Sequence, residues 1–480
     1  MDILNLKANE ITEKIKKGEL KAVDVAEVFL KNISEDKYNT FITVTTDEAL
    51  KKAKEIDEKI AAGEEVGALA GVPVTVKDNI SVKDVRLTCA SKMLENYISP
   101  YDATLVKKLK AEDAVIVGKV NMDEFAMGSS TKTSYFGPSK NPLDEDLVPG
   151  GSSGGSASSV AGYEAVLSVG TDTGGSVRQP ASFCGIVGMK PSYGSISRYG
   201  ISTMANTFDS PGAFGKNVED VHALLKVIVG RDEKDASSIG NDSIKNLVLD
   251  EEKSVEKLKG LKVAVPDILE SAKISKEVRA EFEKAIEILK AKGATVDYIP
   301  MDDLKYGIEC YHILVNGEIA PNMARFDGLR YGYRTEDYEN VEEMYRKSRS
   351  EAFGDEVKRR IMIGTHILSM EFAKDYYEKA LKVRTLIIND FKSAFENYDV
   401  VMCPTSPTLP YRIDYDITAV EMYLQDLFTV CVNIAGLPGI SIPMPLKDGL
   451  SVGIQFIGKA FEDGELLEIA QGFERSSHEL

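Results

Sequence analysis

The stretch Pro149-Gly-Gly-Ser-Ser-Gly-Gly-Ser-Ala157 decides how the chain divides. By composition alone a Gly/Ser string is a flexible linker, and the 480 residues would then separate into several domains. Context argues otherwise. The string runs straight into Val160-Ala-Gly-Tyr-Glu-Ala-Val-Leu167, which has the character of a packed helix or strand. Glycines at this density free backbone N–H groups to approach a ligand closely, and the phosphate-loop pattern GxxxxGK[ST] is missing. Read this way, the block lies inside one large domain spanning residues 1–480.

Upstream of the block, Gly71-Val-Pro-Val-Thr-Val-Lys77 reads as a buried strand, a β-branched run bounded by Gly and Pro. Thr104–Lys110 has a helical pattern, and Ala114-Val-Ile-Val-Gly118 is a further buried strand. Downstream, Gly260–Pro266 reads as a strand, Lys276–Lys292 as a charged helix, and residues 336–397 as strongly helical. Residues 1–62 read as helices packed on the domain, one around Ile11, Ile15 and Leu20 and a second over Thr46–Ala61. Alternation of strand and helix predicts an α/β fold.

Lys and Arg total 58 against 76 Asp and Glu, a net charge of −18 that opposes broad contact with a phosphate backbone. The first 21 residues hold no continuous apolar core of a secretion signal. No run of about 18 apolar residues occurs, so no membrane span is expected. Five scattered cysteines without CxxC spacing read as reduced, buried thiols of a cytoplasmic protein. Only four histidines occur, His222, His312, His366 and His478, none in metal-binding spacing. Neither metal nor histidine is therefore expected to carry the chemistry.

Two serines stand in patterns that can present a nucleophile. Gly151-Ser-Ser-Gly-Gly155 matches GxSxG, the nucleophile elbow of α/β-hydrolases, with Ser153 at its centre. That reading needs an acid and a histidine downstream. The second position lies in Gly170-Thr-Asp-Thr-Gly-Gly-Ser-Val-Arg-Gln-Pro180. There Thr173, Gly174, Gly175 and Ser176 can expose consecutive N–H groups around the Ser176 hydroxyl, as an oxyanion requires. A tight turn would use the two glycines equally well. Lys77 taken alone reads as a strand-end surface lysine.

Pro73–Asn79, Pro149–Ala157 and Gly170–Pro180, in that order, resemble the motifs of the amidase signature family, and the similarity extends from Asn121–Gly128 to Ala435–Gly439. The resemblance implies a large mixed β-sheet covered by helices on both faces. It implies Ser176 as the nucleophile, Lys77 as the general base and Ser152, in a cis peptide, as the bridge between them. A lysine can serve as base only if burial lowers its pKa of about 10.4, and the apolar run Val72–Val76 could supply that burial.

Arg325–Tyr333, Glu356–Ile361 and Leu381–Leu386 narrow the similarity to members that hydrolyse glutamine for tRNA-dependent amidation. In those, glutamine would be held through its α-groups by Tyr311, Arg360 and Asp426, with neighbouring Arg359 an alternative to Arg360. The plain reading of both arginines is a solvated helix face. The implied partners are amidotransferase subunits B and C, which hold Glu-tRNA(Gln) and ATP with Mg²⁺. No metal or cofactor is implied in this chain. A free-standing amidase of small carboxamides would use the same triad, and a non-catalytic scaffold would tolerate its loss.

Overall fold

In a computed structural model, described over residues 2–479, eleven strands form one sheet in the order β1-β3-β2-β4-β6-β5-β10-β11-β9-β7-β8. The strands are β1 (Phe41–Val44), β2 (Pro73–Lys77), β3 (Val115–Val120), β4 (Leu167–Asp172), β5 (Val187–Lys190), β6 (Ser210–Gly215), β7 (Lys262–Pro266), β8 (Thr295–Ile299), β9 (Val400–Pro404), β10 (Gly439–Pro445) and β11 (Ser451–Ile457). Pairing is parallel in two wings, β3-β2-β4 and β9-β7-β8. Between the wings it is antiparallel. Successive residues of a strand face opposite sides of a sheet. Every residue of β2, β3, β4, β5, β6, β9 and β11 is buried. Both faces of the sheet are therefore covered, as expected of a mixed α/β fold.

The Gly/Ser block is not a linker. Residues 150–159 are all buried, and Gly154–Ala161 is a helix. The Gly151 N–H donates to Gln179 Oε1 (2.9 Å). The Ser152 carbonyl accepts from Asp123 N–H (3.1 Å), and the Gly155 N–H donates to the Asn121 carbonyl (3.1 Å). A Cβ on Gly155 would meet the Asn121 backbone at 2.5 Å, so this glycine is required for close approach of two chain segments.

Two sequence expectations need correction. Residues 1–62 are not helical throughout. Helices Ala8–Lys16, Ala22–Ser34 and Thr46–Ala61 are interrupted by β1, an edge strand antiparallel to β3. Its Phe-Ile-Thr-Val sequence suits a pleated surface better than a helix. The helical stretch 336–397 is three helices, Val341–Ala352, Asp355–Ile367 and Tyr377–Asn397, the first break falling at the extended Gly354. Among the described residues no helix is long and apolar enough to cross a membrane.

Candidate active site

β2 and β4 are parallel neighbours, with Val76 opposite Val169. Their carboxyl ends, Lys77 and Asp172, therefore emerge on the same edge of the sheet, where open α/β sheets place their ligands. Lys77 is fully buried, so the surface-lysine reading fails. Its Nζ lies 2.8 Å from Ser152 Oγ, 2.8 Å from Ser153 Oγ and 3.0 Å from Thr171 Oγ1. Burial pulls its pKa down to about 7, against the opposing charges of Asp123, Asp172 and Asp209. The Gly151–Ser152 peptide is cis.

Ser176 lies on the turn between β4 and the helix Arg178–Cys184 and is 9% exposed, whereas Ser152 and Ser153 are fully buried. Among the described residues no hydrogen bond joins Ser176 to Ser152 or Lys77. Ser153 donates to the Thr171 carbonyl (3.1 Å), and none of the described histidines hydrogen-bonds to it. The GxSxG serine thus lacks both access and the partners of a nucleophile elbow.

The turn 172–178 is shaped by a network that sequence reading did not single out. Arg178, fully buried on its helix, donates through Nε to Asp172 Oδ2 (3.1 Å) and through Nη2 to Asp172 Oδ1 (2.9 Å). Its remaining N–H groups meet Asn433 Oδ1 (2.6 Å), Gln455 Oε1 (2.6 Å) and the Thr429 carbonyl (3.1 Å). All five guanidinium donors are satisfied. Burial pushes the Asp172 carboxyl up, but the charge and hydrogen bonds of Arg178 outweigh it and hold the group well below the carboxylate range. Asp172 in turn accepts from the N–H groups of Gly175 (2.9 Å) and Val177 (3.0 Å). The Gly175 N–H, expected at an oxyanion, is therefore engaged elsewhere. Those of Thr173, Gly174 and Ser176 have no acceptor among the described residues.

Two further buried carboxylates brace the same region. Asp123 accepts from the N–H groups of Ser130 (3.1 Å) and Thr131 (2.8 Å). Asp209 accepts from Thr173 Oγ1 (2.8 Å), and burial raises its pKa to about 6.

The three expected substrate contacts come from distant elements and meet beside this turn. Tyr311, on the helix Gly307–Met323, packs so closely that a Cβ on Gly174 would stand 2.6 Å from its Oη. Thr429 Oγ1 lies 2.6 Å from the Gly174 carbonyl and 3.1 Å from that of Asp426, tying the two segments together. Arg360, on Asp355–Ile367, is 5% exposed, which contradicts the solvated-face reading for it, whereas Arg359 projects to solvent. Arg360 Nε donates to Glu356 Oε1 (2.7 Å), which also accepts from Tyr423 Oη (3.2 Å). Burial raises the Asp426 carboxyl to about 8, with Arg360 opposing.

The five cysteines are buried and free. No group of three His, Cys, Asp or Glu side chains that could hold a metal ion occurs among the described residues.

Known proteins share this architecture. The family model described as Amidase matches residues 24–467. The A-subunit of glutamyl-tRNA(Gln) amidotransferase from Carboxydothermus hydrogenoformans is 49% identical over 483 aligned residues, covering 99% of this chain and 98% of that one. Its counterpart from Clostridium botulinum is 47% identical over 480, with the same coverage. The crystal structure of the Thermotoga maritima A-subunit of the same amidotransferase superposes with a TM-score of 0.80 at 37% identity, covering 99% of this chain and 95% of that one.

Proposed function

This chain belongs to the amidase family, and from that premise we propose that it is the glutamine-hydrolysing component of a tRNA-dependent amidotransferase. The observation that carries the chemistry is the contact between Lys77 Nζ and Ser152 Oγ at 2.8 Å, made by a lysine that burial brings to a pKa of about 7. At neutral pH a large share of Lys77 is a free amine and can accept a proton.

In this reading Ser176 Oγ attacks the amide carbon of glutamine. Its proton passes through the Ser152 hydroxyl to Lys77, and the oxyanion is met by the free N–H groups of the 173–176 turn. Collapse of the tetrahedral adduct breaks the C–N bond. The proton returns from Lys77 to the leaving nitrogen, ammonia departs, and a Ser176 acyl-ester remains. Water, deprotonated by the same relay, then attacks the ester, and the Ser176 Oγ–acyl bond breaks. The proton held by Lys77 returns through Ser152 to Ser176 as glutamate leaves.

Tyr311, Arg360 and Asp426 support glutamine over a simple amide, because an arginine fork suits an α-carboxylate and an aspartate an α-ammonium. An arriving ammonium would draw the Asp426 carboxyl down from about 8 and ionise it. Ammonia would then serve subunits B and C, which use ATP and Mg²⁺ to convert Glu-tRNA(Gln) to Gln-tRNA(Gln) in the cytoplasm. A net charge of −18 fits tRNA binding by the partners.

The test supplies the reconstituted complex with either glutamine or ammonium chloride and measures Gln-tRNA(Gln). Both should support product. Faster turnover of simple aliphatic amides than of glutamine by the chain alone would instead identify a free-standing amidase.

A further inference from the structure

We propose that His312 is a further substrate-contacting residue, donating one ring N–H to the carboxylate that Arg360 receives. The proposal rests on the reading of Tyr311, Arg360 and Asp426 as an amino-acid subsite.

His312 follows Tyr311 on the helix Gly307–Met323. Its ring centroid is 3.9 Å from that of Tyr423 and 5.2 Å, edge-on, from that of Tyr311. The Arg360 guanidinium stands 5.7 Å from the same Tyr423 ring. The imidazole thus packs between Tyr311 of the subsite and Tyr423, the ring that Arg360 also approaches. Both ring nitrogens are buried, and neither has a hydrogen-bond partner among the described residues. Neighbouring polar groups are better served. Tyr423 Oη donates to Glu356 (3.2 Å), and Arg360 Nε donates to the same carboxylate (2.7 Å). His222, by contrast, places Nε2 3.2 Å from the Ile244 carbonyl.

Burying a polar group without a partner is costly, and such groups in native proteins call for an explanation. A ligand that brings its own acceptor supplies one here. No acceptor among the described residues meets Nη1 or Nη2 of Arg360, so those donors are free to take a carboxylate, and that carboxylate would lie beside the imidazole. Burial, with the charge of Arg360, holds the His312 pKa well below its ordinary value. The ring therefore stays neutral across the working pH range and offers a single N–H donor. Its contribution should be independent of pH, unlike that of Lys77.

The test compares His312→Phe, which keeps a ring for Tyr423 to stack on, with His312→Gln, which restores a donor. Glutamine hydrolysis is measured in the assembled complex, and thermal unfolding on the full chain. His312→Phe should raise the KM for glutamine about tenfold or more at every pH, with kcat changed less than about twofold. Its midpoint of unfolding should rise by about 1–3 °C, because two unpaired nitrogens leave the interior. His312→Gln should return KM to within about threefold of wild type. Unchanged KM in both variants, or equal losses in both, overturns the proposal, as does a lowered midpoint with normal KM. Arg360→Ala is the control. If it also leaves KM unchanged, the subsite reading itself fails. If it raises KM while His312→Phe does not, only the role of His312 is lost.

Discussion

Arg178 grips the Asp172 carboxylate through Nε and Nη2, at 3.1 and 2.9 Å, and thereby fixes the turn that carries Ser176. The two residues lie at opposite ends of that turn, so the grip closes it like a clasp. Asp172 then organises the interior of the turn by accepting the N–H groups of Gly175 and Val177.

Arg178→Lys should consequently be a severe substitution despite conserving charge. An ammonium cannot span Asp172, Asn433, Gln455 and the Thr429 carbonyl at once. Breaking a buried, fully satisfied ion pair costs about 3–5 kcal/mol. Thermal unfolding should therefore show a lowered midpoint, and turnover should fall because the turn loosens. A variant with wild-type midpoint and wild-type turnover would show that the turn holds its shape without this clasp.

Ser176→Ala should lower glutamine hydrolysis about ten-thousand-fold or more, because it removes the attacking oxygen, and should leave the unfolding midpoint within about 2 °C. Ser153→Ala should remain measurably active, losing only a hydrogen bond to Lys77 Nζ and one to the Thr171 carbonyl. The reverse outcome, an inert Ser153→Ala beside an active Ser176→Ala, would restore the nucleophile-elbow reading.

The pH dependence follows from Lys77. With a folded pKa of about 7, kcat/KM should climb about tenfold per pH unit below 7 and level off above it. Lys77→Arg should be inert at every pH, since guanidinium stays protonated. Stability carries the same signature. An unfolded lysine binds its proton up to about pH 10.5, whereas the buried one releases it near 7. Between these values the unfolded state holds more protons, so wild-type stability relative to Lys77→Met should increase with pH and be flat below 7. Denaturant titrations of both proteins between pH 6 and 10 measure that difference, and a flat difference throughout would mean that Lys77 is not shifted.

Lys77, Ser152 and Ser176 came forward through motifs that resemble a family, since Lys77 by itself reads as a surface residue. Strands β2, β3 and β7, by contrast, were legible because β-branched runs bounded by Gly or Pro announce them. The clasp was half legible. Asp172 and Arg178 stand in a stretch otherwise almost free of charge, and an arginine there is buried only if paired. Their partners Thr429, Asn433 and Gln455 lie more than 250 residues away, and no local pattern joins them. The engaged Gly175 N–H is likewise a tertiary fact, since its direction depends on Asp172. β1 was missed because a four-residue edge strand acquires its identity from β3 rather than from its own periodicity.

The sequence points to Arg360 with Arg359 as its alternative, and burial separates the two. Both pair with Glu356, but only Arg360 is buried, against Tyr423 and near Tyr311. Arg360→Ala should raise the KM for glutamine about ten- to hundredfold, the loss of one charge-assisted hydrogen bond of about 1.5–3 kcal/mol. Glu356 would keep Tyr423 Oη (3.2 Å) and Arg359 as partners, so the helix Asp355–Ile367 should stay in place and the fold with it. Arg359→Ala should remain within about threefold of wild type, as expected for an exposed ion pair. Supplying ammonium chloride bypasses the glutamine subsite, so Arg360→Ala in the complex should form Gln-tRNA(Gln) from ammonia at the normal rate while failing with low concentrations of glutamine. Equal loss of both activities would make Arg360 a structural residue, and a larger effect from Arg359→Ala would move the carboxylate contact to its neighbour.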